Sequence, residues 1–98
     1  MPRAVRRQFG FALHLAQIGS RHPDAKVLRG FGSAGVLQVV ENHALDTYRA
    51  VYTVRFADAV YVLHCFKKKS TKDTAKPKPD FNLIRKRFDE ARRLAERE

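Results

Sequence analysis

The sequence predicts an α+β fold in which an N-terminal helix, an antiparallel sheet of three or more strands and a C-terminal helix follow one another along the chain. Three observations carry that expectation. Apolar residues recur at helical spacing near both ends, three runs rich in valine, tyrosine, threonine and phenylalanine lie between them, and only short polar or small-residue breaks separate those runs. At 98 residues and 44% hydrophobic content, the chain is long enough for one small domain and too short for two, so residues 1–98 read as a single domain.

The first helix is expected from Pro2 to about Ile18, where Val5, Phe9, Ala12, Leu13 and Ala16 recur on one face. Pro2 suits a helix start and Gly19 a C-terminal cap. Phe11, Leu15 and Ile18 widen the apolar face, which implies more than one covering neighbour. The stretch from Ser20 to Gly35 holds Pro23, Gly30, Gly32, Ser33 and Gly35 and reads as a loop, with a short turn around Ala25 to Arg29. Three strands follow as an antiparallel meander: Val36 to Asn42, Asp46 to Phe56, and Ala59 to Phe66. In the middle strand Tyr48, Ala50, Tyr52, Val54 and Phe56 project one way, and Arg49, Val51, Thr53 and Arg55 the other. One face therefore reads as buried and the other as open and arginine-bearing, with core packing favoured for Tyr48 and Tyr52. Residues 67–79 hold six lysines, one aspartate and two prolines without apolar periodicity, as an exposed loop would. Asp80 suits an N-cap. Beyond it, Phe81, Ile84, Phe88, Ala91 and Ala95 form the apolar stripe of a second helix, with Arg85, Lys86, Arg87, Arg92 and Arg93 on its other faces.

Charge narrows the classes of partner. Lysine and arginine number 20 against 10 acidic residues, a formal charge of +10, and such a field attracts polyanions. The one cysteine, Cys65, excludes an internal disulfide framework and any multi-cysteine zinc site, and fits a reducing, cytoplasmic setting. No apolar run reaches the roughly 20 residues of a membrane helix. The arginine-rich, amphipathic start is unlike a signal peptide. A membrane-lying role for the basic C-terminal helix is outweighed by the need of a small domain for that apolar stripe in its own core.

Several patterns resolve into bland readings. Gly30-Phe31-Gly32-Ser33-Ala34-Gly35 satisfies G-x-G-x-x-G literally, but a loop precedes it and a strand follows, so no helix N-terminus would meet a pyrophosphate and no cofactor is expected. His64 and Cys65 are strand neighbours that project to opposite faces and cannot form a nucleophilic pair, so Cys65 is expected to be a buried structural residue. His14, His22 and His43 show no metal-ligand spacing, and no metal is expected. The run Lys67, Lys68, Lys69, Lys72, Lys76, Lys78 is either a solvated loop or part of a site. The second reading gains from the aromatic and cationic groups beside it: Phe66, His64, Arg49 and Arg55 offer rings for unpaired bases and cations for phosphates.

The segments Thr47-Tyr48-Arg49-Ala50-Val51-Tyr52, Ala59-Val60-Tyr61-Val62-Leu63-His64-Cys65-Phe66 and Lys67-Lys68-Lys69-Ser70 together resemble the phage-derived HigB-like branch of the RelE/ParE toxin superfamily. That branch has a T-Y-R-x-x-Y strand, a strand ending L-H-x-F, a K-K-[ST] tail and a closing helix. The likeness extends to Val5-Arg6-Arg7-Gln8-Phe9-Gly10 and Ala16-Gln17-Ile18-Gly19, and so spans nearly the whole chain. It implies a RelE-like fold and a toxin of a type II toxin-antitoxin system that cuts messenger RNA on the ribosome by attack of a ribose 2′-hydroxyl on the neighbouring phosphate. On these residues it implies catalytic roles for Arg49, Lys67, Lys68, Lys69 and His64, and RNA contacts from Arg55, Phe66, Ser70 and Lys72. His64 stands as an acid or base, or else as a strand residue that packs. The implied partners are a helix-turn-helix, HigA-like antitoxin and the message on the ribosome.

The sequence departs from the family pattern in three places. Family members begin with an extra segment that includes a first strand, and its apparent lack here would leave a sheet edge open for dimerisation or for pairing with an antitoxin segment. Gln38 stands where a glutamate is expected, and Lys67 where a glutamine is common. The same superfamily includes ParE-like gyrase inhibitors, so a non-catalytic toxin or basic nucleic-acid-binding module of this fold is the alternative.

Overall fold

The computed structural model describes residues 1–31, 35–54, 59–68 and 78–97, and within these the side chains of all but residues 68, 78–80 and 97. The elements in chain order are α1 (Arg3–Gln17), β1 (Ala25–Val27), β2 (Val36–His43), β3 (Asp46–Thr53), β4 (Val62–Lys68) and α2 (Lys78–Arg97). The strands form one antiparallel sheet in the order β1-β2-β3-β4. The α+β reading, with helices at both ends of an antiparallel sheet, is borne out.

The two helices cover opposite faces. Leu37, Val39, Tyr48, Ala50 and Tyr52 pack against Val5, Phe9, Ala12 and Ala16 of α1. Their strand neighbours Val36 and Val51 project the other way and join Leu63, Phe31, Ile84, Phe88 and Ala91 of the α2 side. Full burial of each large apolar side chain stabilises the fold by about 1.5–3 kcal/mol. The Arg49 face is therefore not open along its length as the alternation suggested: Val51 and Thr53 are 0% exposed, because α2 lies across that end.

α1 ends as its sequence predicts. Gly19 adopts φ 81°, its N–H donates to the Ala16 carbonyl at 3.1 Å, and the Ser20 N–H donates to the Leu15 carbonyl at 2.7 Å, the paired bonds of a Schellman cap. The buried face of α1 is narrower than its apolar residues suggest, since Phe11 is 49% and Ile18 62% exposed; the sheet covers one side of the helix only.

Four further details differ from expectation. Ala25–Val27, read as a turn, is a strand paired with Leu37, Gln38 and Val39 of β2, and it forms one edge of the sheet. β4 begins at Val62 rather than Ala59 and runs through Lys67 and Lys68, so the first two lysines of the basic run belong to the sheet. Asp80 lies inside α2, which starts at Lys78, and does not precede the helix as an N-cap would. Cys65 is exposed, because β4 is an edge strand whereas α1 packs chiefly over β2 and β3. The glycine-rich segment does lead into a strand: Gly35, at φ 72°, is followed directly by β2.

Candidate nucleic-acid interface

Ladder register decides which predicted site residues meet. Arg49 of β3 lies opposite Val40 of β2 and Phe66 of β4, and cross-strand partners share a face. His64 pairs with Val51, and its ring stacks on that of Phe66 with centroids 4.9 Å apart and planes at 18°. Arg49, His64 and Phe66 thus form one cluster on the α2 side of the sheet, beyond the end that α2 covers. All three are half-buried, held by the sheet yet reachable from solvent.

Lys67 is not in that cluster. It pairs with Tyr48, whose side chain lies on the α1 side, and its ammonium is 3.4 Å from the Asp46 carboxylate. Lys68 pairs with Thr47 in the ladder. Arg55, Lys69, Ser70 and Lys72 lie outside the described residues.

A β-bulge sets the position of His64. Val51 pairs with His64 whereas Tyr52 pairs with Val62, so Leu63 is the extra residue and turns into the α2-side core at 1% exposure. A bulged residue leaves the regular ladder, and here the Leu63 carbonyl accepts a hydrogen bond from Arg87 Nη1 of α2 at 2.8 Å. The same Nη1 lies 3.3 Å from His64 Nδ1. A guanidinium only donates, so in this arrangement Nδ1 accepts and the proton of a neutral ring resides on Nε2.

Arg87 does not stand out in the sequence, where it is one arginine among seven basic residues on α2. Its signal is its place three residues after Ile84 and four before Ala91, at the margin of the buried stripe. Arg85, two residues earlier, holds the fold together instead: it bonds the Gly30 carbonyl through Nη2 and lies 4.9 Å above the Phe31 ring.

Arg49 carries a further feature. Its Nε is enclosed and has no hydrogen-bond partner among the described residues, although a buried charged donor normally finds one. The cluster therefore offers a permanent cation with an unused donor, beside a stacked pair of flat rings. An oxyanion such as a phosphate would satisfy the cation, and an unstacked base would extend the ring stack. On the opposite face, His22, Asp24 and Glu41 are a group among the described residues whose side chains could hold a metal ion. The sequence did not reveal it, because Glu41 arrives from β2, far along the chain.

A model of the family described as Phage derived protein Gp49-like (DUF891) matches residues 1–89. No curated protein matches, and no solved structure does.

Proposed function

This chain belongs to the Gp49-like phage-derived protein family, a RelE/HigB-like toxin family of toxin-antitoxin systems, and from that premise we propose that it is a ribosome-dependent endoribonuclease that cleaves messenger RNA. The observation that carries the proposal is the grouping of Arg49, with its unused Nε donor, beside the His64–Phe66 stack on one half-buried face.

In the proposed reaction the 2′-hydroxyl oxygen of one nucleotide attacks its own 3′-phosphate. The new P–O2′ bond forms as the P–O5′ bond to the next nucleotide breaks, leaving a 2′,3′-cyclic phosphate and a 5′-hydroxyl. The 2′-hydroxyl proton passes to solvent water and the 5′-oxygen takes one from solvent water, so no net proton is consumed. Charge builds on the phosphorane oxygens, and Arg49 answers it with a planar array of donors already in place. Phe66 supports a base next to the scissile bond. His64, with Nδ1 engaged by Arg87, presents its Nε2–H as a hydrogen-bond donor to the phosphorane oxygens, rather than serving as the base.

The remaining cations enter the proposal as charge around this centre. Lys68 ends β4 and with Lys69 adds positive charge for the substrate, Lys67 adds field from the strand edge, and Arg55, Ser70 and Lys72 contact the RNA backbone. The partner is an antitoxin, proposed to be of the helix-turn-helix type and to cover this basic face in a cytoplasmic toxin-antitoxin complex. No helix among the described residues is long and apolar enough to cross a membrane.

The test is to add the protein to a translating extract and map message ends by primer extension. New ends within translated regions are expected, absent with Arg49→Ala and reduced with the triple Lys67, Lys68, Lys69→Ala variant. Arrested translation with intact messages would refute the proposal. Inhibition of DNA supercoiling in place of cleavage would select the gyrase-directed reading.

A further inference from the structure

We propose that His22, Asp24 and Glu41 form a binding site for one divalent transition-metal ion of the zinc class, on the sheet face opposite Arg49 and independent of the ribonuclease reading.

Three separate features converge there. First, one potential ligand atom from each residue lies within 4.8 Å of the others: His22 and Asp24 come from the segment between α1 and β1, and Glu41 from β2. Second, His22 is 5% exposed, and its Nε2 is 3.3 Å from Gln8 Oε1 on α1. An amide oxygen accepts, so Nε2 carries the proton and Nδ1 is the lone-pair nitrogen. Metal-binding imidazoles are oriented by the same device, the far N–H donating to a protein oxygen. Nδ1 is also the nitrogen turned towards the Asp24 carboxylate, 4.0 Å from Oδ2. Third, Glu41 Oε1 is enclosed and has no hydrogen-bond partner among the described residues. An enclosed carboxylate oxygen is costly without a donor or a cation, and none of the arginines or lysines among the described residues pairs with it although the chain carries +10 overall.

The chemistry selects the ion. One imidazole and two carboxylates make a nitrogen-oxygen ligand set that suits zinc and its first-row neighbours, with zinc above manganese in intrinsic affinity. Bonds of about 2.0–2.2 Å to zinc require tetrahedral ligand atoms roughly 3.4 Å apart, so the group must contract slightly. Asp24 supplies that movement: its side chain is 64% exposed, and the contact from its backbone N–H to His22 Nδ1, now 3.0 Å, gives way to the ion. The bound ion would fasten the segment before β1 to the middle of the sheet. A water would take the fourth position on the exposed Asp24 side.

The experiment uses the full, tag-free chain carrying Cys65→Ser, stripped with chelator and titrated with zinc chloride by calorimetry and thermal melting. One equivalent should bind, and the melting temperature should rise by about 5 °C or more at saturation. Glu41→Gln and Asp24→Asn should each weaken binding at least tenfold; the exposed position of Asp24 makes its variant a safe test if Glu41→Gln unfolds. No stoichiometric binding to the parent chain, or unchanged binding in Asp24→Asn, would overturn the site and assign any zinc uptake to the other histidines.

Discussion

Two adjacent residues of β3 show how unevenly burial treats polar groups. Thr53 and Tyr52 are both 0% exposed. Thr53 Oγ1 accepts a hydrogen bond from the Tyr61 N–H at 3.0 Å, whereas the Tyr52 hydroxyl has no partner among the described residues. Replacing an unpartnered buried hydroxyl with hydrogen removes its desolvation cost and leaves the ring packing intact. Tyr52→Phe should therefore leave stability unchanged or raise it by up to about 1–2 kcal/mol, as read from urea unfolding. Burial also lifts the Tyr52 hydroxyl above its ordinary pKa of 10.0, against a weaker opposing pull from Arg21. The folded chain thus favours the neutral phenol. Unfolded Tyr52 ionises first as pH rises, so the associated stability is present below pH 10 and is lost as pH climbs through the folded value. Tyr52→Phe should flatten that alkaline decline. The strand alternation made the burial of Tyr48 and Tyr52 legible in advance. It failed for Cys65 because alternation assigns a face, and only the packing of α1 decides whether the edge of that face is covered; partial burial still pushes the Cys65 thiol up.

At the scale of elements, local signals worked where local chemistry sets the conformation. The α1 cap at Gly19 and the apolar stripe of α2 belong to that class. β1 does not, since Ala25-Lys26-Val27 has no pattern of its own and is a strand only because β2 offers an edge. The bulge at Leu63 is equally invisible in the sequence, yet it carries the link from α2 to the site through Arg87. Arg87→Ala should lower message cleavage by about tenfold or more, since donor positioning of this kind contributes on that order. Its stability cost should stay near 1 kcal/mol, roughly the usual net value of one hydrogen bond; unchanged cleavage in a folded variant would remove Arg87 from the mechanism. The β2–β3 hairpin supplies a second expectation. Ala44 holds φ 55° in the two-residue turn between His43 and Asp46, a left-handed conformation that costs a side-chain-bearing residue roughly 1 kcal/mol. Ala44→Gly should raise the melting temperature by a few degrees.

Across the whole molecule, the sheet divides the chain's chemistry. On one face the Arg49 cluster sits beyond the end of the sheet that α2 covers; on the other, the His22 group lies between the segment before β1 and β2. The net charge and the family likeness pointed to an RNA-cleaving toxin from sequence alone, but the basic residues could not be sorted into faces without the register. Register separates Lys67 from Arg49 and brings in Arg87, and it makes one guanidinium the centre of the proposed reaction. The decisive measurement is the rate of message cleavage on programmed ribosomes by the parent chain, Arg49→Lys and Arg49→Ala, each verified as folded by its melting curve. A rate lower by about 100-fold or more is expected for Arg49→Ala, the loss typical of removing a donor aimed at developing charge, and Arg49→Lys should recover only part of it because an ammonium cannot reproduce the planar array. Cleavage by folded Arg49→Ala at the parent rate would contradict the proposed mechanism.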